Sequence, residues 1–241
     1  MIELKDPLNY LKGLFPEFMF ELRGDFFSYH LRPEILDHIA ERLASIRVLN
    51  PMKEGLNSEP ISGEIEYEKR KLINPSSSSA GVFYDGIRLQ SILYTLIKKE
   101  ERGLEHIHIV ITNQLIVTWD EADRRYHLRT GVYGFPSIIS LSGIVEAPAK
   151  PREFYIMKKM GVPLPELRKT FDGRFIDYGD RRIPDVLKGY LIQAIFYSLI
   201  GEPFCSDRGC RLFNAHWQEE MIYAQLESPY EFCERHREFI R

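Results

Sequence analysis

Residues 184–201 read PDVLKGYLIQAIFYSLIG, a stretch that decides the C-terminal half of the fold. Its apolar residues recur at the spacing of one helical face, which predicts a long core helix. Proline suits the first turn of a helix, and glycine suits its C-terminal cap. We therefore expect a helix from Pro184 to about Ile200 that stops at Gly201. The residues on or near its apolar stripe are Val186, Leu187, Tyr190, Leu191, Ala194 and Ile195.

All three cysteines of the chain lie downstream of this helix. With one histidine they form the pattern C-x4-C-x22-C-x2-H, and clustered cysteines in a reducing compartment are typical metal ligands. Zinc binds four nitrogen or sulfur ligands in a tetrahedron, and four protein ligands leave no open position for chemistry. We therefore predict one Zn²⁺ ion that is structural and not catalytic. Its predicted ligands are Cys205, Cys210, Cys233 and His236.

The local sequence around these ligands favours their convergence. Gly209 allows a tight turn in the loop CSDRGC that holds the first two cysteines. A helix over SPYEFCERHREF, residues 228–239, with Ser228 as its N-cap would place Cys233 and His236 on one face. The alternative fourth ligands are His216 and Asp207.

This cysteine pattern resembles the signature of the archaemetzincins, a family of archaeal and vertebrate zinc metallopeptidases. Their signature is H-E-x-x-H-x-x-G-x-x-H-C-x4-C-x-M, followed later by C-x2-C. In that family three histidines hold a catalytic zinc ion, the glutamate activates its water, and four cysteines hold a structural zinc ion. The resemblance places the first cysteine pair on Cys205 and Cys210, and the family glycine on Gly201. The second pair falls on Cys233 and His236 after a longer spacing, with histidine in place of the last cysteine.

The catalytic half of the signature is not matched. The resemblance places the three zinc histidines on Ala194, Ser198 and Phe204. It places the general-base glutamate on Ile195 and the methionine on Leu212. A zincin needs two imidazoles at i and i+4 on one helix face and a carboxylate beside the metal. Because these positions offer neither, the resemblance implies a degenerate family member that keeps only the structural zinc ion.

The resemblance extends over roughly residues 82–240. Residues 84–117 look like the family's helix and its first strands, and PSIISLSGI, residues 136–144, looks like the strand ahead of the active-site helix. We expect an α/β or α+β fold, with a mixed sheet packed with helices, a metzincin-like core and a C-terminal zinc site. Residues 81–241 would form this domain. Residues 1–80 would be an N-terminal segment of helix and strands, packed on the core.

Periodicity predicts the remaining elements. Helices are expected from Asp6, from Pro33 and over residues 84–101, and loops at residues 50–63 and 74–81. The predicted strands are FMFEL (18–22), FFSYHL (26–31), HIHIVIT (106–112), QLIVTW (114–119), RYHLRT (125–130) and part of FPSIISLSGI (135–144).

Composition excludes several classes of function. The net charge is −3 and the sequence pI is about 6.2, with acidic and basic residues well mixed, so no basic field would recruit nucleic acid. We expect no apolar run long enough to span a membrane and no signal peptide. These observations predict a cytoplasmic protein without nucleic-acid or membrane partners.

Three functions remain open from the sequence. The first is a non-catalytic protein that binds a peptide or a protein partner in the former active-site cleft. The second is an active zinc metallopeptidase with ligands from outside the family signature, and the third is an assembly element of a larger complex. The sequence does not determine the oligomeric state. The candidate ligands for the second function are His106, His108, His127 and His216.

Overall fold

The computed structural model describes residues 4–55, 59–75 and 81–240. Its helices are α1 (Lys5–Leu14), α2 (Phe26–His30), α3 (Leu36–Ser45), α4 (Ser62–Ile73), α5 (Gly86–Leu96), α6 (Leu141–Glu146), α7 (Arg152–Lys159), α8 (Leu164–Thr170), α9 (Ile183–Ile200), α10 (Gln218–Ile222) and α11 (Glu234–Glu238). Its strands are β1 (Phe83–Asp85), β2 (Ile109–Thr112), β3 (Leu115–Asp120), β4 (Arg125–Arg129), β5 (Gly131–Val132) and β6 (Ser137–Ser140). Mixed strands packed with helices confirm the predicted α+β class.

The strands form two three-stranded sheets. In the first sheet β1 runs parallel to β3, and β3 pairs antiparallel with β4. In the second sheet β2 runs parallel to β6, and β5 pairs antiparallel with β6. The acidic stretch WDEAD, residues 119–123, contains the turn of the β3–β4 hairpin. Both sheets are mixed, as expected, although we predicted a single sheet.

Two predictions for the N-terminal residues are wrong. FFSYH forms the short helix α2, because the Asp25 carboxylate accepts a hydrogen bond from the Ser28 backbone N–H at 2.8 Å and caps a helical turn. Residues 18–22 adopt no regular structure. The helix predicted from Pro33 is present as a 3₁₀ turn that leads into α3. Part of the loop predicted at residues 74–81 and part of that at residues 50–63 lie outside the described residues.

The chain divides into two compact units, one made of residues 1–20 with 144–241 and one made of residues 21–143. We call them the C-terminal unit and the central unit. Both sheets lie in the central unit, where α3 and α5 contribute to the main apolar cluster. Residues 1–80 contribute to both units, and the predicted division at residue 80 stays a prediction.

Helix α9 is the core of the C-terminal unit. It ends as predicted at Gly201, whose φ of 75° is the left-handed conformation of a C-terminal cap. Burial extends around most of the helix from Ile183 to Phe196 and not along a single stripe, and only the last turn is exposed. The Lys188 ammonium pairs with Asp6 of α1 at 2.6 Å and holds α1 against this helix.

By length and composition α9 meets the criteria for a membrane-spanning helix, contrary to our expectation that no such run exists. However, 61% of this 18-residue window is buried inside the protein. The core helix of a globular unit has the same apolar composition, because its side chains pack against protein on several sides. A single helix of this kind is weak evidence for a membrane span.

Candidate metal centre

The first cysteine pair lies in a tight loop after α9. The Cys205 backbone N–H donates to the Leu212 carbonyl at 2.8 Å, and the Cys210 N–H donates to the Asp207 carbonyl at 3.1 Å. These bonds fold residues 205–213 back on themselves, so that both thiols face the same side. The Asp207 N–H also donates to the Cys205 sulfur at 3.3 Å. The backbone of the loop thus holds the two sulfur atoms in place before any ion binds.

Gly209 lies against the ends of two side chains, so a larger residue at this position would displace them. A Cβ atom at this position would lie 2.6 Å from the Tyr230 hydroxyl oxygen and 2.8 Å from the Ser228 hydroxyl oxygen. The Tyr230 hydroxyl donates to the Asp207 carboxylate at 2.8 Å, and that carboxylate also accepts from the Gly209 N–H at 2.9 Å. Asp207 therefore braces the loop, and its position does not support its role as an alternative fourth ligand.

The second pair comes from the start of α11, which is shorter than the helix predicted from Ser228. Cys233 is the N-cap of α11 and His236 lies within the helix. The predicted helix does not form earlier because the Glu231 carbonyl accepts a hydrogen bond from the Arg211 N–H at 2.8 Å. This bond ties the second segment to the first cysteine loop. The Glu231 carbonyl therefore accepts a hydrogen bond from the other segment and not from a residue of its own helix.

Four ligand atoms converge at this place. The sulfur atoms of Cys205 and Cys233 are 3.8 Å apart. The Nδ1 atom of His236 lies 3.5 Å from the Cys210 sulfur and 3.1 Å from the Cys233 sulfur. All four atoms lie within 4.8 Å of one another. Cys205, Cys210, Cys233 and His236 therefore lie close enough to bind one ion.

Two of these three distances match a closed tetrahedral site, and the Cys233–His236 distance of 3.1 Å is shorter than such a site requires. With Zn–S bonds of about 2.3 Å and Zn–N bonds of about 2.0–2.1 Å, tetrahedral geometry separates two sulfurs by about 3.8 Å and a sulfur from a nitrogen by about 3.6 Å. The pairs Cys205–Cys233 and Cys210–His236 are within about 0.1 Å of these separations. All three cysteines are free thiols, so the convergence is not due to a disulfide. The donor set therefore fits a soft divalent ion such as zinc.

Burial favours the neutral forms of Cys205, Cys210 and His236 in the metal-free protein. It raises the pKa of the Cys210 thiol to about 12 and raises the pKa of the Cys205 thiol, and it lowers the pKa of the His236 imidazole. Backbone N–H groups of Leu212 and Cys233 also face the Cys210 sulfur and partly offset this effect of burial. A metal cation stabilises thiolates, so binding would release their protons.

The histidines considered for a second metal site do not form one. His106 and His108 precede β2 and do not lie on it, and their ring centroids are 6.2 Å apart. His127 lies 2.9 Å from the Asp123 carboxylate, and His216 precedes α10 and is exposed. Within residues 4–55, 59–75 and 81–240, the group at Cys205 is the only convergence of three or more histidine, cysteine or carboxylate ligands.

The positions that correspond to catalytic residues in the resemblance lie on or just after α9. Ala194 and Ile195 are buried, at 0% and 2% exposure. The Ser198 hydroxyl donates to the Ala194 carbonyl at 3.0 Å, which satisfies it within the helix. Phe204 is partly exposed and Leu212 is fully buried. Their correspondence to a lost catalytic centre stays a prediction.

A second buried polar cluster was missed by the sequence analysis. The Glu68 carboxylate, 1% exposed, accepts hydrogen bonds from Arg47 at 2.8 and 2.5 Å and from the Tyr84 hydroxyl at 2.7 Å. The Lys71 ammonium donates to the Tyr84 hydroxyl at 2.6 Å. The sequence did carry a sign of this burial, because Glu68 lies four residues before the apolar Leu72 and therefore on the same helical face. We did not use it because α4 had not been predicted.

Comparison with known proteins gives a family for the whole chain. Residues 1–241 match the family described as "Probable metallopeptidase family (DUF6775)". No curated protein and no solved structure matches the chain significantly. The matched region includes the whole cysteine and histidine group described above. The chain therefore belongs to this probable metallopeptidase family.

Proposed function

We propose that the chain is a non-catalytic member of its family, in which Cys205, Cys210, Cys233 and His236 hold one structural zinc ion. The observation that carries this proposal is the donor set, four protein ligand atoms within 4.8 Å of one another, two pairs of which lie at tetrahedral separations. Such a site leaves no position for substrate, because each corner of the tetrahedron is taken by a side chain. Zinc bound there would tie the loop after α9 to the start of α11.

The residues of α9 support the non-catalytic part of this proposal. A zincin places imidazole and carboxylate groups on its active-site helix. Helix α9 presents Ala194 and Ile195 to the apolar core, and its Ser198 hydroxyl is bonded to its own backbone. The alternative function is metallopeptidase activity, which the family description names.

The role that we propose in place of catalysis is binding of an extended peptide or protein segment. An outer strand can take such a segment as an additional strand through backbone hydrogen bonds, without any chemistry. β2 (Ile109–Thr112) and β5 (Gly131–Val132) are the outer strands of their sheet.

Metal analysis of the native protein, combined with a peptidase assay, tests the proposal. We expect one zinc ion per chain, no peptide hydrolysis above background, and loss of the ion when Cys205 is changed to serine. The control is Ser206→Ala, an exposed change in the same loop. Two tightly bound zinc ions per chain would overturn the proposal. So would hydrolysis that a chelator abolishes and zinc restores.

A further inference from the structure

The central unit contains a cavity with a mixed lining. Its volume is about 180 Å³. An apolar cavity of roughly 150 Å³ is large enough to bind benzene, so this cavity accommodates a compact body of similar size. The polar cluster around Lys71 forms part of its wall. Most of the remaining wall is apolar and includes Leu43, Leu72, Leu89, Leu93, Val110 and Ile138.

Lys71 is a cation of this wall that shares its carboxylate partner with a second cation. Its nearest carboxylate is Glu68, whose Oε1 atom already accepts two hydrogen bonds from Arg47 and one from Tyr84. The Lys71 ammonium lies 3.3 Å from the other oxygen of Glu68, and its remaining acceptors, the Tyr84 hydroxyl and the Gln114 amide oxygen, are neutral. The interior of the cluster thus holds two cations and one carboxylate.

Other acidic residues do not correct this imbalance at Lys71. Glu64 lies 3.6 Å from Arg47, on a side chain that is 21% exposed, so it pairs with the other cation. Asp25 lines the cavity, but its carboxylate is exposed and accepts hydrogen bonds from Ser28 at 2.8 and 2.9 Å. Burial of the ammonium lowers the pKa of Lys71, as expected for a cation that lacks a full counter-charge.

We propose that the cavity binds a small monocarboxylate with a compact apolar body, whose carboxylate pairs with Lys71 and whose body contacts the leucine-rich wall. An anion beside Lys71 balances the buried charge, and a charge-assisted hydrogen bond is stronger than a neutral one. Asn113 and Gln114 line the same cavity, and their side-chain amides carry further N–H donors. Asp25 disfavours a second negative charge on the ligand.

Benzoate is the probe for this site, because its ring matches the cavity and it carries a single carboxylate. Titration into the full chain, followed by backbone amide NMR, should shift resonances around the cavity with a dissociation constant of about 1 mM or tighter. Benzyl alcohol, which lacks the charge, and succinate, which has two charges, should each bind at least about tenfold more weakly.

Two variants locate the binding. Lys71→Met removes the charge and keeps much of the length, and it should weaken benzoate binding by about tenfold or more. The matched control is Lys69→Met on the same helix, since Lys69 pairs with the exposed Asp37 and does not line the cavity. Val110→Phe fills the cavity without a change of charge, and it should also abolish binding. It decides the question if Lys71→Met does not fold.

The proposal requires the charge and the cavity together. It is overturned if benzoate shifts no resonance of the cavity lining at about 10 mM, a concentration above the expected dissociation constant. It is also overturned if benzyl alcohol binds as tightly as benzoate, or if benzoate binding survives Val110→Phe. The zinc proposal concerns residues of the C-terminal unit only, so either proposal can fail while the other holds.

Discussion

Glu68 and His236 are both almost completely buried polar residues, with 1% and 0% exposure, but their surroundings differ. Glu68 in the central unit receives hydrogen bonds from Arg47 and Tyr84, so the chain itself supplies partners for its charge. His236 in the C-terminal unit faces sulfur atoms through Nδ1, and its Nε2 atom has no hydrogen-bond partner among the residues that the structure describes. The donor atoms of the second cluster face one another, an arrangement that suits a bound metal ion.

This difference predicts that the stability of one unit depends on metal and that of the other does not. A structural zinc ion contributes about 10–16 kcal/mol of apparent binding free energy at neutral pH, which is folding free energy when the site forms only in the folded state. Treatment with a chelator should therefore remove most hydrogen-exchange protection from α9 and α11. Protection of β3 and β4 should persist. An equal loss of protection in both units would contradict the prediction that only the C-terminal unit depends on metal.

Removal of a single ligand should have nearly the same consequence. Cys210→Ser replaces a fully buried thiol of the cluster with a hydroxyl, a much poorer zinc ligand. We expect metal content to fall from one ion to none and the C-terminal unit to lose at least about 5 kcal/mol, the range typical of a lost metal site. Metal analysis and urea unfolding measure the two effects. The control Ser206→Ala should keep both values, and retention of the ion by Cys210→Ser would contradict this assignment.

Acidification should release the ion from the cysteine and histidine site. Burial raises the pKa values of the Cys210 and Cys205 thiols, so these thiols are protonated in the metal-free site and must release protons when metal binds. His236 has a lowered pKa and releases no proton at neutral pH. These two thiol protons correspond to about 2.7 kcal/mol, or a hundredfold in affinity, for each unit of pH below the two thiol pKa values.

The affinity of the site for zinc is therefore expected to fall as the pH falls. Competition with a colorimetric zinc chelator between about pH 8 and 6 measures the slope, because the ordinary thiol pKa of about 8.5 lies above this range. The lowered pKa of His236 places its own proton competition below its ordinary value of 6.5. An affinity that does not change with pH would exclude thiolate ligation.

The stability of the central unit should fall when the Glu68 carboxylate is removed, and it should not respond to chelators. Glu68→Gln leaves Arg47 and Lys71 partly buried without the charge that they share, which costs about 3–5 kcal/mol when one partner of a buried pair is removed. Urea unfolding with and without chelator should give the same loss. The matched control is Glu66→Gln on the same helix, where the side chain is exposed and the change should be near zero. An equal cost at both positions would show that burial is not the cause.

The candidate metal site was more predictable than the fold around it. Cysteine is rare in this chain, and ligand chemistry restricts the spacing, so the four ligands could be proposed from the sequence. The start of α11 could not, because it depends on the hydrogen bond from Arg211 to Glu231, a contact between distant segments. The hydrogen bond between Asp207 and Tyr230 also joins distant segments, since the two residues are 23 positions apart. The sequence therefore left Asp207 open as an alternative ligand.

Elements with strong local patterns were predicted, and elements decided by tertiary contacts were not. Helix α9 has a long apolar sequence with proline near its start and glycine at its end, and its predicted bounds differ from the observed ones by one residue. FFSYH has the aromatic composition of a strand, yet the cap at Asp25 makes it helical. Helix α4 carries Glu68 inside the protein, and this position is stable only because Arg47 from another element reaches it. Pattern alone gives no sign of such a partner.

The smallest effect is expected from an ion pair that is next to a metal ligand in sequence but is exposed to solvent. Arg235 precedes His236 and pairs with Glu202, with side chains that are 61% and 57% exposed. Because water screens such charges, Arg235→Gln should change the stability of the unit by no more than about 1 kcal/mol, and less in high salt. Urea unfolding of the zinc-bound protein at two salt concentrations measures this. A loss as large as that of Glu68→Gln would mean that proximity to the cluster, and not burial, determines the cost of removing a charge.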